Sequence, residues 1–203
     1  MTPPDASRPT APVPDLGPAA EAVTVLADGV TPDQYDDPTP CPAYSVRHLL
    51  GHLSGLSLAF RDAAMKHLGG ATDTDPTATR PDIGDDWHAE LTARLTELPA
   101  AWRSPGAWEG VTQAGGVTFP AAEAGVVALN ELVVHGWDLA RATGQPYAPD
   151  PAGLEVSYAM LSAAAESGEE SAGLFGPPVP VAENASLLDR VVALSGRDPA
   201  WTP

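Results

Sequence analysis

The sequence predicts an all-α fold, a four-helix bundle carrying extra C-terminal helices, and three observations predict it. Apolar residues recur at steps of three and four through four long segments, the period at which a helix presents one face to a core. One short run of β-formers stands between the third and fourth of these segments, and further helical periodicity follows the fourth. No internal repeat and no alternating strand-helix pattern points to a parallel sheet instead. A chain of 203 residues has material for one substantial core and is short for two full domains. The expectation is therefore a tail over residues 1–14 and one helical domain over residues 15–203.

The tail is rich in Pro, Ser and Thr and has little to bury, so order there would not offset its conformational entropy. A first helix is expected where Leu16, Ala19, Ala20, Val23, Leu26 and Val30 recur, with Gly29 near its end. The proline-punctuated stretch Asp36 to Tyr44 cannot continue a helix. Ser45 is the expected N-cap of a second helix with Val46, Leu49, Leu50, Leu53, Leu56 and Phe60 on its apolar face and Gly69 and Gly70 as its stop. After a polar connection from Ala71 to Gly84, the residues Trp87, Leu91, Leu95, Leu98 and Trp102 mark a third helix. The β-formers flanking Gly115 and Gly116 predict a short β-hairpin between the third and fourth helices. Pro120 suits the first turn of the fourth helix, which runs to about Thr143 and closes at Gly144. Leu154, Tyr158, Leu161 and Ala165 give a fifth helix. After a Gly- and Pro-rich stretch from Gly168 to Pro180, Asn184 is the expected cap of a short last helix with Leu187, Leu188, Val191 and Leu194.

Charge narrows the partners. Acidic residues outnumber basic ones 27 to 10, for a formal charge of −17, and Lys66 is the only lysine. Nucleic acid and anionic membrane surfaces both call for a cationic footprint, so neither is an expected partner. No run reaches the roughly 18 apolar residues of a membrane span. The opening residues lack the basic start and apolar stretch of a secretory signal, which makes the cytoplasm the expected location. A single cysteine, Cys41, excludes an internal disulfide framework. A homodimer through exposed helix faces is compatible with this architecture, although no isolated apolar stripe demands one.

The chemistry-bearing residues lie on the second and fourth helices. Glu131 and His135 are four apart, which places both on one helix face as two ligands of a single ion would be. Val127, Leu132, Val133 and Leu139 surround them, and a carboxylate among such neighbours is costly unless paired or bound to a cation. His52, flanked by Leu49, Leu53 and Leu56, is placed to face another helix. Two histidines and a glutamate leave one coordination position open, as in catalytic zinc sites, and nickel and iron(II) accept the same donors. Spacing alone also suits a hydrogen-bonded Glu-His pair and a satisfied core histidine.

The runs TPCPAYSVRHLLGHLSG, from Thr39 to Gly55, and NELVVHGWDLARATGQ, from Asn130 to Gln145, resemble the metal-binding domain family of mycothiol-dependent maleylpyruvate isomerase, a DinB-like branch. The closing FGPPVPVAENASLLDRVVALSGRDPAW, Phe175 to Trp201, resembles the tail of a short subfamily. The resemblance implies a DinB-like bundle in which His52, Glu131 and His135 coordinate one divalent ion, zinc foremost, with nickel or iron as alternatives. It implies mycothiol as a cosubstrate. The isomerase itself is matched only over its metal-binding half, since it carries a further C-terminal domain.

Other residues have two readings. His48 stands four before His52, a ligand spacing, yet the family has an acidic residue there; as a first-turn surface residue it does nothing to a metal. Asp138 either accepts from the ligand His135 or makes a surface pair with Arg141. Cys41 is a nucleophile, a fourth ligand, or a small buried apolar residue. His67 and His88 lie at helix ends among polar residues, and Trp137 is expected to pack. Three functions follow. One is a metal-dependent transferase or isomerase that uses a small-molecule thiol against an electrophile. Another is a metal-dependent hydrolase with Asp138 as base, and the third a non-catalytic metal-stabilised binding or regulatory module with Cys41 closing the coordination sphere.

Overall fold

The computed structural model describes residues 13–75, 80–167 and 176–203. Residues 1–12 of the expected tail, and 168–175 of the Gly- and Pro-rich stretch, lie outside the described residues. Six helices carry the fold: α1 Gly17–Asp28, α2 Val46–Met65, α3 Trp87–Trp102, α4 Ala121–Thr143, α5 Pro151–Ser167 and α6 Leu187–Leu194. The strands β1 Val111–Ala114 and β2 Val117–Pro120 form the expected antiparallel hairpin between α3 and α4, with Val111 opposite Pro120 and Ala114 opposite Val117. Gly115 and Gly116 turn it at φ 61° and 76°, the pair of left-handed residues that a two-residue hairpin of this hand requires.

The first four helices close a ring in the order α1, α3, α2, α4, so that α1 and α2 are diagonal, as are α3 and α4. Helix α5 lies along α4, and α6 lies against α5 and α4. The periodic residues meet inside this ring. Leu49, Leu50 and Leu53 of α2, Leu98 of α3, and Leu132 and Leu139 of α4 lose all contact with solvent. Each such leucine contributes about 1.5–3 kcal/mol on burial. One continuous apolar cluster runs from Leu16 to Val191. Among the described residues no helix is long and apolar enough to cross a membrane.

Several boundaries differ from the sequence expectation. Helix α2 stops at Met65, before Gly69 and Gly70, because Lys66 adopts a left-handed conformation at φ 60°. The amides of Lys66 and His67 then bond back to Ala63 and Asp62, satisfying carbonyls that the helix end exposes. The Lys66 ammonium donates to the Ala107 carbonyl at 3.1 Å, which ties this unusual turn to the next layer. Ser45 occupies the N-cap position of α2, but its hydroxyl meets His48 Nδ1 at 2.7 Å instead of a backbone amide. Pro120 ends β2 and precedes α4, so it is not in the first helical turn. Ser186, not Asn184, caps α6, with its Oγ accepting from the Asp189 amide at 3.1 Å. Short-range capping depends on which backbone amide lies within reach, and two residues of slippage change the partner.

Candidate metal centre

His52 projects from the first half of α2, and Glu131 and His135 from the middle of α4, at the contact between these neighbouring helices. Glu131 Oε2 lies 3.5 Å from His52 Nε2 and 3.3 Å from His135 Nε2. The two imidazoles meet edge to face, with centroids 4.7 Å apart and planes at 81°. One ligand atom from each of the three residues lies within 4.8 Å of the others. Two donors held about 2.0–2.2 Å from a zinc ion at tetrahedral angles stand roughly 3.3–3.6 Å apart. The donor types and their separations fit a divalent transition metal, and among the described residues no fourth His, Cys, Asp or Glu joins the group.

The outer nitrogens are also occupied. His135 Nδ1 lies 2.9 Å from Asp138 Oδ2, three residues along the same helix. His52 Nδ1 faces the Tyr44 hydroxyl at 3.5 Å, with the two rings 5.1 Å apart. Both imidazoles therefore turn Nε2 inward to Glu131 and Nδ1 outward to an oxygen, an arrangement that holds ring orientation and tautomer. The side chains of His52 and Glu131 keep 13% and 15% of their surface exposed, so the cluster retains slight contact with solvent.

Charge follows this geometry. Burial pushes the Glu131 carboxyl up, but the contacts with His135 and His52 outweigh it and hold the group below the usual carboxylate range. Burial likewise pushes His135 down, yet Asp138 and Glu131 on either side raise it to about 9. For His52 burial wins, and the imidazole is pushed below its usual value despite Glu131. The metal-free cluster thus reads as a carboxylate between one charged and one neutral imidazole.

Asp138 is fully buried and belongs to no surface pair with Arg141, whose guanidinium instead donates to the Trp201 carbonyl. Its second partner is Arg197: Nη2 donates to Oδ2 at 3.1 Å and Nε reaches Oδ1 at 3.4 Å. Cys41 stands in the loop before α2, half-buried and outside the ligand group. Burial pushes its thiol up, and the Asp138 charge adds to this, so in the metal-free protein the thiol is not activated. His48 stays with Ser45, and His88 Nε2 pairs with Asp28 at 2.7 Å; neither approaches the cluster. His67 is exposed at the far end of α2, and Trp137 is buried with Arg141 5.8 Å from its ring centre. Sequence reading missed Tyr44 and Arg197. Tyr44 lies within the run from Thr39 to Gly55, beside Ser45, whereas nothing in the spacing of Arg197 ties it to α4.

The family model for the mycothiol maleylpyruvate isomerase N-terminal domain matches residues 16–140 of this chain. Two solved structures, of the mycothiol-dependent maleylpyruvate isomerase and of a mutant of it, are each similar at 17% identity and a TM-score of 0.48. Each alignment covers 72% of this chain and 66% of that one, so the chain spans just under two thirds of those structures' length. No curated protein matches.

Proposed function

The chain belongs to the mycothiol maleylpyruvate isomerase N-terminal domain family, and from that membership we propose that it holds one divalent ion, zinc foremost, and uses a low-molecular-weight thiol of the mycothiol kind in transfer or isomerisation of an electrophile. The observation that carries this reading is the convergence of His52 Nε2, Glu131 Oε2 and His135 Nε2 at ligand spacing, with no fourth protein ligand beside them among the described residues.

A divalent ion held there supplies positive charge that stabilises a thiolate at neutral pH and a position at which it can sit. The chain's own residues prepare that position. Glu131 contributes the negative charge that favours a cation over any neutral guest, and its burial keeps that charge from being screened. Asp138 holds the Nδ1 proton of His135, so that Nε2 presents a lone pair once its own proton is lost. Tyr44 does the corresponding service for His52 at longer range. Leu49 and Leu53 beside His52, and Leu132 beside Glu131, exclude water from the inner side of the cluster.

Two competing readings lose support. A hydrolase would need a base free to act beside the open position, and Asp138 is buried and engaged by His135 and Arg197. A closed structural site would need a fourth protein ligand, and Cys41 does not supply it.

The test is elemental mass spectrometry of the untagged protein and of His52→Ala, Glu131→Ala and His135→Ala. The expected result is about one metal per chain in wild type and loss in every variant, with helical circular dichroism retained. Metal-loaded protein should then consume electrophile only when mycothiol is present. A wild type that takes up no zinc, nickel or iron(II) at neutral pH would show the reading to be wrong; metal uptake without thiol dependence would leave a metal site and remove the thiol chemistry.

A further inference from the structure

The family match ends at residue 140, yet a residue far beyond it reaches the candidate centre. Asp138 is a carboxylate with no solvent contact, a placement that demands compensation from its surroundings. It has two partners in the structure, and they share one oxygen: Oδ2 lies 2.9 Å from His135 Nδ1 and 3.1 Å from Arg197 Nη2. Arg197 Nε stands 3.4 Å from the other oxygen, so the guanidinium addresses both in fork fashion. Its remaining edge is tied down as well, since Nη1 donates to the Ser195 carbonyl at 2.9 Å.

The backbone aims this side chain. Helix α6 ends at Leu194, and Gly196 follows in a left-handed conformation at φ 84°. The Arg197 amide then bonds back to Val192 at 3.1 Å, which turns the chain toward α4. A Cβ at Gly196 would stand 2.6 Å from the Gly176 Cα, so the turn accepts only glycine on steric grounds as well as conformational ones.

We infer that Arg197 is a positioning residue of the metal centre: by clamping the Asp138 carboxylate it fixes the direction of the His135 ring, so that the C-terminal helices complete the site instead of merely decorating the bundle. The inference rests on the proposed role of His52, Glu131 and His135 as ligands. With the fork in place Asp138 cannot rotate away from Nδ1, and Nε2 keeps its line to Glu131. Without it the carboxylate is held by the imidazole alone, and the ligand ring gains freedom that weakens its hold on an ion.

The experiment strips the full-length protein of metal and measures zinc affinity by competition with a chromophoric chelator, alongside the visible absorption of the cobalt(II)-loaded protein. Arg197→Gln is expected to weaken zinc by about 10- to 100-fold, the usual effect of removing an outer partner of a ligand, and to change the cobalt spectrum. Arg197→Lys keeps the charge without the fork and is expected to fall between the two. Arg141→Gln serves as control, because Arg141 anchors the same C-terminal segment through the Trp201 carbonyl without touching Asp138; it is expected to bind zinc as wild type does. Wild-type affinity and spectrum in Arg197→Gln, or equal weakening in Arg141→Gln, would overturn the inference. If Arg197→Gln loses its helical circular dichroism, Arg197→Lys decides: intermediate affinity supports the clamp and wild-type affinity removes it. A wild type that binds no zinc refutes the ligand assignment itself, a result distinct from zinc binding that ignores Arg197.

Discussion

His52 Nε2 on α2 stands 3.5 Å from Glu131 Oε2 on α4, across 79 residues of chain. The site is present only while these two helices are packed, so a bound ion stabilises the fold that builds it. Zinc at a hundred times its dissociation constant should add about 2.7 kcal/mol, which for a chain of this size raises Tm by roughly 5–10 °C. Differential scanning fluorimetry with and without zinc measures this. An equal shift in His52→Ala would place the ion elsewhere.

The charge on His135 sets a pH dependence with a definite sign. Its imidazole is raised from 6.5 to about 9, so in the metal-free protein it is protonated at pH 7, and an ion bound at Nε2 must displace that proton. Apparent zinc affinity should therefore climb by about tenfold per pH unit from pH 7 and level off above about 9. The metal-free fold should show the opposite trend. A raised pKa contributes stability that is complete below 6.5 and lost as pH rises through about 9, so Tm of chelator-treated protein should decline across that window. Flat profiles in both measurements would contradict a charged His135 between two carboxylates.

Gly125 lets two indoles close over the start of α4. Trp102 and Trp108 pack edge to face at 4.8 Å, and a Cβ at Gly125 would stand 2.4 Å from the Trp108 ring and 2.8 Å from that of Trp102. Gly125→Ala should destabilise by about 1–3 kcal/mol through overpacking, read as a lower urea midpoint. Metal content per chain should be unchanged, because the indoles do not touch the cluster. Loss of metal at full stability would mean that this layer positions the ligands directly.

Cys41 provides a negative prediction. Burial pushes its thiol pKa up, so at neutral pH it should react with iodoacetamide more slowly than a free thiol does. Cys41→Ser should keep about one zinc per chain, as three-residue ligation implies. Rapid alkylation would make Cys41 an activated thiol, and loss of zinc in the serine variant would place it in the coordination sphere.

What was legible in the sequence was local. A period of three to four residues is enough to place α1 to α4, because a helix makes its own hydrogen bonds and its apolar stripe declares the buried face. The four-residue step from Glu131 to His135 made them neighbours on any helix, and Gly115-Gly116 supplied the left-handed turn of the hairpin. Caps were read less well. Ser45 and Asn184 were reasonable cap residues by type, but the structure gives the Ser45 hydroxyl to His48 and hands the α6 cap to Ser186.

By itself the sequence determined that helices form, which faces they bury and that α4 carries a carboxylate and an imidazole side by side, since these depend on interactions within a few residues. Long-range packing brings His52 onto Glu131, sets Tyr44 behind His52, and carries Arg197, 59 residues beyond Asp138, back to that carboxylate. Those contacts depend on which helices become neighbours in the ring and on where the turn after α6 points. That choice is made by the shared burial of many apolar side chains at once, and no single spacing along the chain records it.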